Sequence, residues 1–269
     1  LMAIQNHEDI PLTEFHQYLD LASLVSTEIV IQFIKNVWDG IFLQSEVIAA
    51  DAQNFIDYKQ GDIHPTVAIE NGDNVFIDGG ASVRAGSVLD ASAGTTIIAN
   101  NAYIDIGSLI QGPVYIGPGC VINPGTKLRG NVTLGPQCKI GGEVQDVIFQ
   151  GFSSKQHNGF LGHSYIGEWV NLGANTNNSD LKNNYGLIRL VINGEEIETG
   201  QQFLGTLMGD YSRTGISTML NTGTIVGLGA NIFGEGFQDK YIPSFRWGKN
   251  DTTELEKFFG TIEKMKQRK

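Results

Sequence analysis

Ile98, Ile104, Ile110, Ile116, Ile122, Leu128, Leu134 and Ile140 stand at an unbroken interval of six residues. Strands repeat every two residues and α-helices every 3.6, so a strict six belongs to neither and marks a hexapeptide β-helix. A second row supports this. Two positions before each aliphatic stands a small or β-branched residue: Thr96, Ala102, Ser108, Val114, Cys120, Thr126, Val132 and Cys138. In such a solenoid the aliphatic points inward from each short strand, and the small residue lets the chain turn the corner of a triangular coil of about three hexads. The expected fold class is therefore all-β, a parallel β-helix.

Turn-dense repeats also explain the 34 glycines, since prolines number only 7 and no Gly-X-Y period exists. At 269 residues and 41% hydrophobic content the chain suffices for one large domain or two small ones. A net charge of −11 argues against nonspecific binding to nucleic acid or to an anionic membrane, because both need a basic surface. An anionic small ligand needs local cations instead. The two cysteines, Cys120 and Cys138, both occupy the small repeat position and read as core packing, which suits a reducing compartment. No run of about 18 apolar residues spans a membrane, and Glu8 and Asp9 stand near the N-terminus without an apolar signal-peptide core. A cytoplasmic location is expected.

Residues 1–58 differ from the rest of the chain. Leu12, Phe15, Leu19 and Ala22, then Val30, Phe33, Ile34 and Val37, are spaced like helices, with Thr13 and Ser26 as N-caps. Two or three short helices are expected to cap the first coil and to end near Tyr58. The chain opens without an obvious first element of a domain, so a preceding domain is expected to be missing. From Gly61 the six-residue register begins loosely at Ile77, Val83 and Leu89, and it shifts by three around Ala93–Thr96. After Ile140 it loosens through Gly151–Gly159 and returns at Ile166 and Leu172. Residues 187–199 then read as a hairpin turning at Asn193-Gly194, a type I′ signal, and such excursions from a solenoid often bind ligands. Repeats resume over 203–233. The tail from Asn250 reads as a cap followed by an amphipathic helix carrying Leu255, Phe258, Phe259, Ile262 and Met265, with Lys264, Lys266, Arg268 and Lys269 in its last turn suiting the helix dipole. The expected division is thus 1–58 helical cap or linker, 59–248 β-helix and 249–269 C-terminal helix.

The densest polar stretch is Ser153–Tyr185, more than a β-helix needs for folding. His157 falls where the register loosens, which places it at a coil edge and makes it a candidate general base. His157 and His163 stand six apart, and His64 is the third ligand available in the solenoid; no Cys or carboxylate cluster completes a set, so no metal site is expected. Gly227–Gly234 lacks the strand-then-helix context of a phosphate loop.

The segment Gln156-His157-Asn158-Gly159-Phe160-Leu161-Gly162-His163-Ser164-Tyr165-Ile166-Gly167-Glu168-Trp169-Val170-Asn171-Leu172-Gly173-Ala174 resembles the acetyltransferase half of the GlmU family, which joins glucosamine-1-phosphate acetyltransferase to N-acetylglucosamine-1-phosphate uridyltransferase. That half carries Gly-His-Leu-x-Tyr-Leu-Gly, then Ile-Gly-x-x-Val-Asn-Ile-Gly-Ala-Gly, at the same spacing. Residues 151–182 are still more similar to a GlmU-like group of sugar nucleotidyltransferases. The likeness covers roughly Gly61 to Phe245 and is most specific between Glu143 and Thr206.

The resemblance implies a left-handed β-helix that forms homotrimers, with sites between subunits and acetyl-CoA lying along the coils as co-substrate. By position, His157 matches the general base, Glu143 a carboxylate that orients it, and Asp180 a residue near the reacting amine and thioester. Arg129, Phe160, Asn171 and Lys182 fall to the sugar phosphate or sugar nucleotide, and Ala174, Thr206 and Arg213 to the CoA arm. Three positions depart from the family: Phe160 replaces a Tyr, Gln145 a phosphate-binding Lys and Asp180 an Asn. Losing a cation and gaining an anion weakens binding of a sugar phosphate, because charge-assisted bonds are the strong ones; Lys155, Lys182, Arg189 and Arg213 are the nearby cations that compensate. The function expected is an acyl-CoA-dependent N-acyltransferase on an amino sugar phosphate or sugar nucleotide. The alternative is a non-catalytic trimerising or ligand-sensing module of a nucleotidyltransferase whose active part, with its Mg2+, lies in the missing domain. A metal enzyme on the same fold is the third possibility.

Overall fold

The computed structural model describes residues 33–57, 61–192 and 194–267. The chain divides between Ile34 and Lys35, and the coil with its added helices and hairpins belongs to the part from Lys35 onward. The proposed caps Thr13 and Ser26, Val30, Tyr58, Asn193, Arg268 and Lys269 lie outside the described residues.

Short parallel strands stack into three flat faces. The first face runs from Val75–Ile77 through Thr96–Ile98, Val114–Ile116 and Val132–Leu134 to Thr206–Met208, Thr224–Val226 and Tyr241–Ile242. The second includes Asp62–Ile63, Ser82–Val83, Tyr103–Ile104, Val121–Ile122, Lys139–Ile140 and Ser154–Lys155. The third includes Ala68–Glu70, Val88–Asp90, Leu109–Gln111 and Lys127–Arg129. All eight aliphatics of the six-residue row are buried, and so are all eight residues of the small row. The second row therefore fills the interior beside the first, and the corners themselves fall to other residues.

Those corners are where the regular spacing fails. Glu143–Gly151 and Phe160–Glu168 each bend from the third face onto the first as one long strand. The bends are made by Asp146 and His163 at φ of 53° and 43°, a left-handed conformation that side-chain hydrogen bonds here must hold. Another column of left-handed residues, Phe152, Trp169 and Tyr211, joins the first face to the second. Their rings stack at centroid distances of 4.8 and 6.3 Å, so one aromatic ladder ties three coils.

Outward residues of the first face, Thr133 apart, are apolar or aromatic, and helix α1 (Asp39–Asp51) packs on several of them. Trp38 and Ile41 pack with Ile148, Tyr165 and Leu207, while Ile48 packs with Phe76 and Ile97. The spacing of Phe33, Ile34 and Val37 suggested helix further upstream; instead these residues are exposed and non-helical. The helix starts at Asp39, whose carboxylate accepts hydrogen bonds from the Lys35 and Asn36 amides at 3.0 and 2.9 Å and favours the N-terminal end of the dipole. The hairpin forms as antiparallel strands Arg189–Ile192 and Glu195–Glu198, and its Ile188 and Leu190 extend the same apolar cover. Helix α2 (Leu255–Lys266) follows a second small hairpin, Arg246–Trp247 with Asp251–Thr252, so Asn250 is a turn residue and Glu254 holds the cap position. Phe258 anchors α2 edge-on against Tyr211 and Phe245, whereas Leu255 and Phe259 stay exposed.

Cys120 and Cys138 are buried and no disulfide joins them. The Cys138 thiol beside it and burial both push the Cys120 thiol up, which suppresses the thiolate a nucleophile or metal ligand needs.

Candidate functional site

At the corner between the second and third faces the chain makes a loop, Gln156–Gly159, and Lys155 holds it. Lys155 pairs in register with Ile140 and so occupies the inward position where an aliphatic belongs; its side chain is 2% exposed. The ammonium donates to the carbonyls of Gly141, His157 and Gly159 at 2.9, 3.1 and 2.8 Å. Three donors meet three acceptors, a complete match for a lysine. Burial pushes the ammonium down to about 8. Asn123 adds a bond to the Gln156 carbonyl at 2.8 Å. The loop backbone is therefore fixed from below, and the His157 ring projects exposed from it.

Beside this loop lies an open depression of about 470 Å3, with Lys127, Glu143, Asn158, Phe160, Asn175 and Asn177 among its walls. A second depression of about 460 Å3 shares Asn175 and Asn177 and continues past Ser217, Met219, Leu220 and Phe237. Together they form one groove along the coils. Asn177 and Asn178 shape it, because their side-chain carbonyls accept the Phe160 and Gly162 amides at 2.8 Å each, replacing a strand-to-strand ladder.

Glu143 and Phe160 are thus in the groove and His157 is next to it. The expected contact between Glu143 and His157 is not made: Glu143 accepts from Arg129 at 2.8 Å, and among the described residues the His157 ring has no hydrogen bond or ion pair. Asp180 sits at a different corner. There the His163 ring stands between two carboxylates, with Nδ1 2.8 Å from Asp180 and Nε2 3.3 Å from Asp146, and Asn131 donates to the other Asp146 oxygen at 2.8 Å. Phe203 stacks on the same ring at 5.0 Å. This cluster fixes the strained bend at His163.

Thr206 is fully buried, since it continues the inward row of small residues on the first face, and so cannot offer its side chain to a CoA arm. Ala174 lies at the groove corner, its carbonyl accepting from the Ser217 amide at 2.8 Å. Asn171 is exposed, with its backbone bridging Ser154 and Arg213. Three of the four compensating cations are engaged elsewhere: Lys155 as above, Lys182 with the Leu187 carbonyl, and Arg189 with Glu196 and Glu198 on the hairpin, which hold its guanidinium above its ordinary value. Arg213 lies under α2, where it lines a pocket that does not include Ala174. The cation the sequence reading missed is Lys127, which lines the groove directly. The in-and-out alternation about the inward Leu128 already placed Lys127 and Arg129 together on the outer surface. Among the described residues no group of three or more His, Cys, Asp and Glu is placed to hold a metal ion, and no helix is long and apolar enough to cross a membrane.

Fold and repeats together define a parallel β-helix built from hexapeptide repeats, and within it residues 95–130 match the bacterial transferase hexapeptide family (six repeats). The chain is 36% identical over 98 residues to a bifunctional sugar-1-phosphate nucleotidylyltransferase/acetyltransferase of Sulfurisphaera tokodaii. That match takes in 35% of this chain and 24% of the relative, so the chain spans about a quarter of the relative's length. Among solved structures, the polySia-specific acetyltransferase NeuO aligns with 78% of this chain and 99% of its own, at 15% identity and a TM-score of 0.36; at that score the likeness says nothing of this chain's chemistry.

Proposed function

We propose that the groove binds an acyl-CoA and an amino sugar phosphate or sugar nucleotide, and that the chain is the N-acyltransferase part of a sugar nucleotidyltransferase. The observation that carries this reading is His157, exposed on a backbone pinned by a buried lysine at the edge of the groove. In the proposed reaction the acceptor nitrogen attacks the thioester carbonyl while the His157 imidazole takes its proton. A C–N bond forms, the C–S bond breaks, and the departing thiolate receives a proton from the imidazolium. Lys127 and Arg129 face the acceptor phosphate, and the Arg129 to Glu143 pair sets the direction of that guanidinium. The groove suits a CoA arm, whose methylenes match Met219, Leu220 and Phe237. Homotrimer assembly, with the groove lined from two copies, and a cytoplasmic location belong to the same proposal. So does any nucleotidyl transfer with its Mg2+, which falls outside this chain.

The test is thiol release from acetyl-CoA in the presence of a panel of amino sugars. His157→Ala is expected to lower kcat/KM by roughly 10²–10⁴-fold, the usual contribution of a general base. Turnover equal to the parent removes His157 from the reaction.

A second reading, a non-catalytic trimerising or ligand-sensing module, is favoured by the engagement of Glu143 with Arg129 and of Asp180 with His163. Calorimetry with acetyl-CoA separates the two, since a module without acyltransferase chemistry gives no heat at about millimolar ligand.

A further inference from the structure

Arg213 lines a pocket of about 410 Å3 enclosed by α2, the Arg246–Thr252 hairpin and the second face. Its half-buried guanidinium donates to the Met265 sulfur, a weak acceptor, and faces no carboxylate among the described residues. Glu254, the acidic residue of the pocket lining, is bound by Lys257 at 2.9 Å. Asp210, next to Tyr211 in the chain, is turned to the Glu168 amide at 2.9 Å. Burial pushes the Arg213 guanidinium below its ordinary value, with no neighbouring charge to counter it. A half-buried cation without a counter-charge is costly, and the acceptor its guanidinium does meet is the weak one of a thioether. Tyr211, Trp247 and Phe258 supply aromatic walls.

We propose that this pocket is a binding site for a phosphate-bearing small molecule, the phosphate meeting Arg213 and any attached base lying against Trp247 and Tyr211. An anion there supplies the charged acceptor that Arg213 lacks, and the pocket is of the size that holds small ligands. It is separate from the groove: Arg213 opens its strand at the corner of the aromatic ladder, whereas the groove follows the corner of Gln156–Gly159. Binding there requires nothing of His157.

Isothermal titration of the full chain with ADP and with inorganic phosphate tests it, alone and in saturating acetyl-CoA. ADP is expected to bind at one site that acetyl-CoA does not displace, at least about tenfold more weakly in Arg213→Gln and with partial recovery in Arg213→Lys. Trp247→Ala is expected to weaken ADP but not phosphate. Phosphate binding as tightly as ADP, with the same dependence on Arg213, also supports the site and assigns it to free phosphate. The proposal is overturned by absence of heat from both probes up to ~10 mM, by displacement of ADP by acetyl-CoA, or by unchanged affinity in Arg213→Gln. A thermal melt confirms that the glutamine variant is folded, and Trp247→Ala remains an independent probe if it is not.

Discussion

A lysine in the aliphatic column sets a condition on pH. Lys155 is held down at about 8 by burial, against an ordinary value near 10.5 in the unfolded chain. Below about pH 8 both states carry the proton and the burial cost is borne in full. Between about 8 and 10.5 the native state has released the proton while the unfolded chain keeps it, so stability rises with pH across that window, by at most about 3 kcal/mol. The three carbonyl bonds favour the ammonium and reduce this figure. In Lys155→Met the rise is expected to vanish, which denaturation midpoints measured at a series of pH values would reveal; an identical slope in both proteins would exclude Lys155 as its source. The same substitution leaves the Gly141, His157 and Gly159 carbonyls without donors, so amide exchange in 156–159 is expected to quicken even where global stability is preserved. Little of this was readable beforehand. Lysine at an inward position breaks the pattern that identifies inward positions, and its three acceptors are backbone atoms, which have no residue signature. The pairing of Arg129 with Glu143 was hidden for a different reason: it depends on the register Lys127↔Glu143 between coils, and the spacing shortens just there.

Secondary elements added to the coil were legible in kind but not in extent. The hairpin was marked by its turn dipeptide and the apolar residues around it, and it forms. Helix bounds differ from what apolar spacing suggested, because burial chooses among apolar residues: α1 begins at Asp39 and sets Ile41 and Ile48 against the first face, while Val37 stays exposed before it, and α2 begins only at Leu255. Ile41→Ala is expected to cost about 2–4 kcal/mol of local stability through the cavity it leaves. Hydrogen exchange should show this as faster exchange in 39–51 with the coil interior unchanged. Equal loss of protection throughout would mean that α1 and the coil unfold as one unit.

At the scale of the molecule, stability rests on columns that run the length of the stack. Each coil touches only its neighbours, so damage to one column member should spread by contact rather than everywhere at once. Ile122, fully buried between Ile104 and Ile140, is the place to examine this. Ile122→Ala is expected to cost about 2–5 kcal/mol, with exchange quickening most in the flanking coils, and a uniform effect from Val75 to Ile242 would count against a linear architecture. The columns were the most legible part of the chain, since a fixed period survives any uncertainty about where single strands begin. Positions of the candidate site residues were not, because they gather where the period lapses.

The apolar cover over the first face has one further consequence. With α1 and the hairpin seated there, that face is covered by the chain itself, and the groove follows the edge the other two faces share. Self-association through those faces would draw on the same strip of surface as a ligand in the groove, and the two equilibria would then be thermodynamically linked. Ligand affinity would vary with protein concentration, and the sign of that variation would report whether neighbours complete the groove or obstruct it.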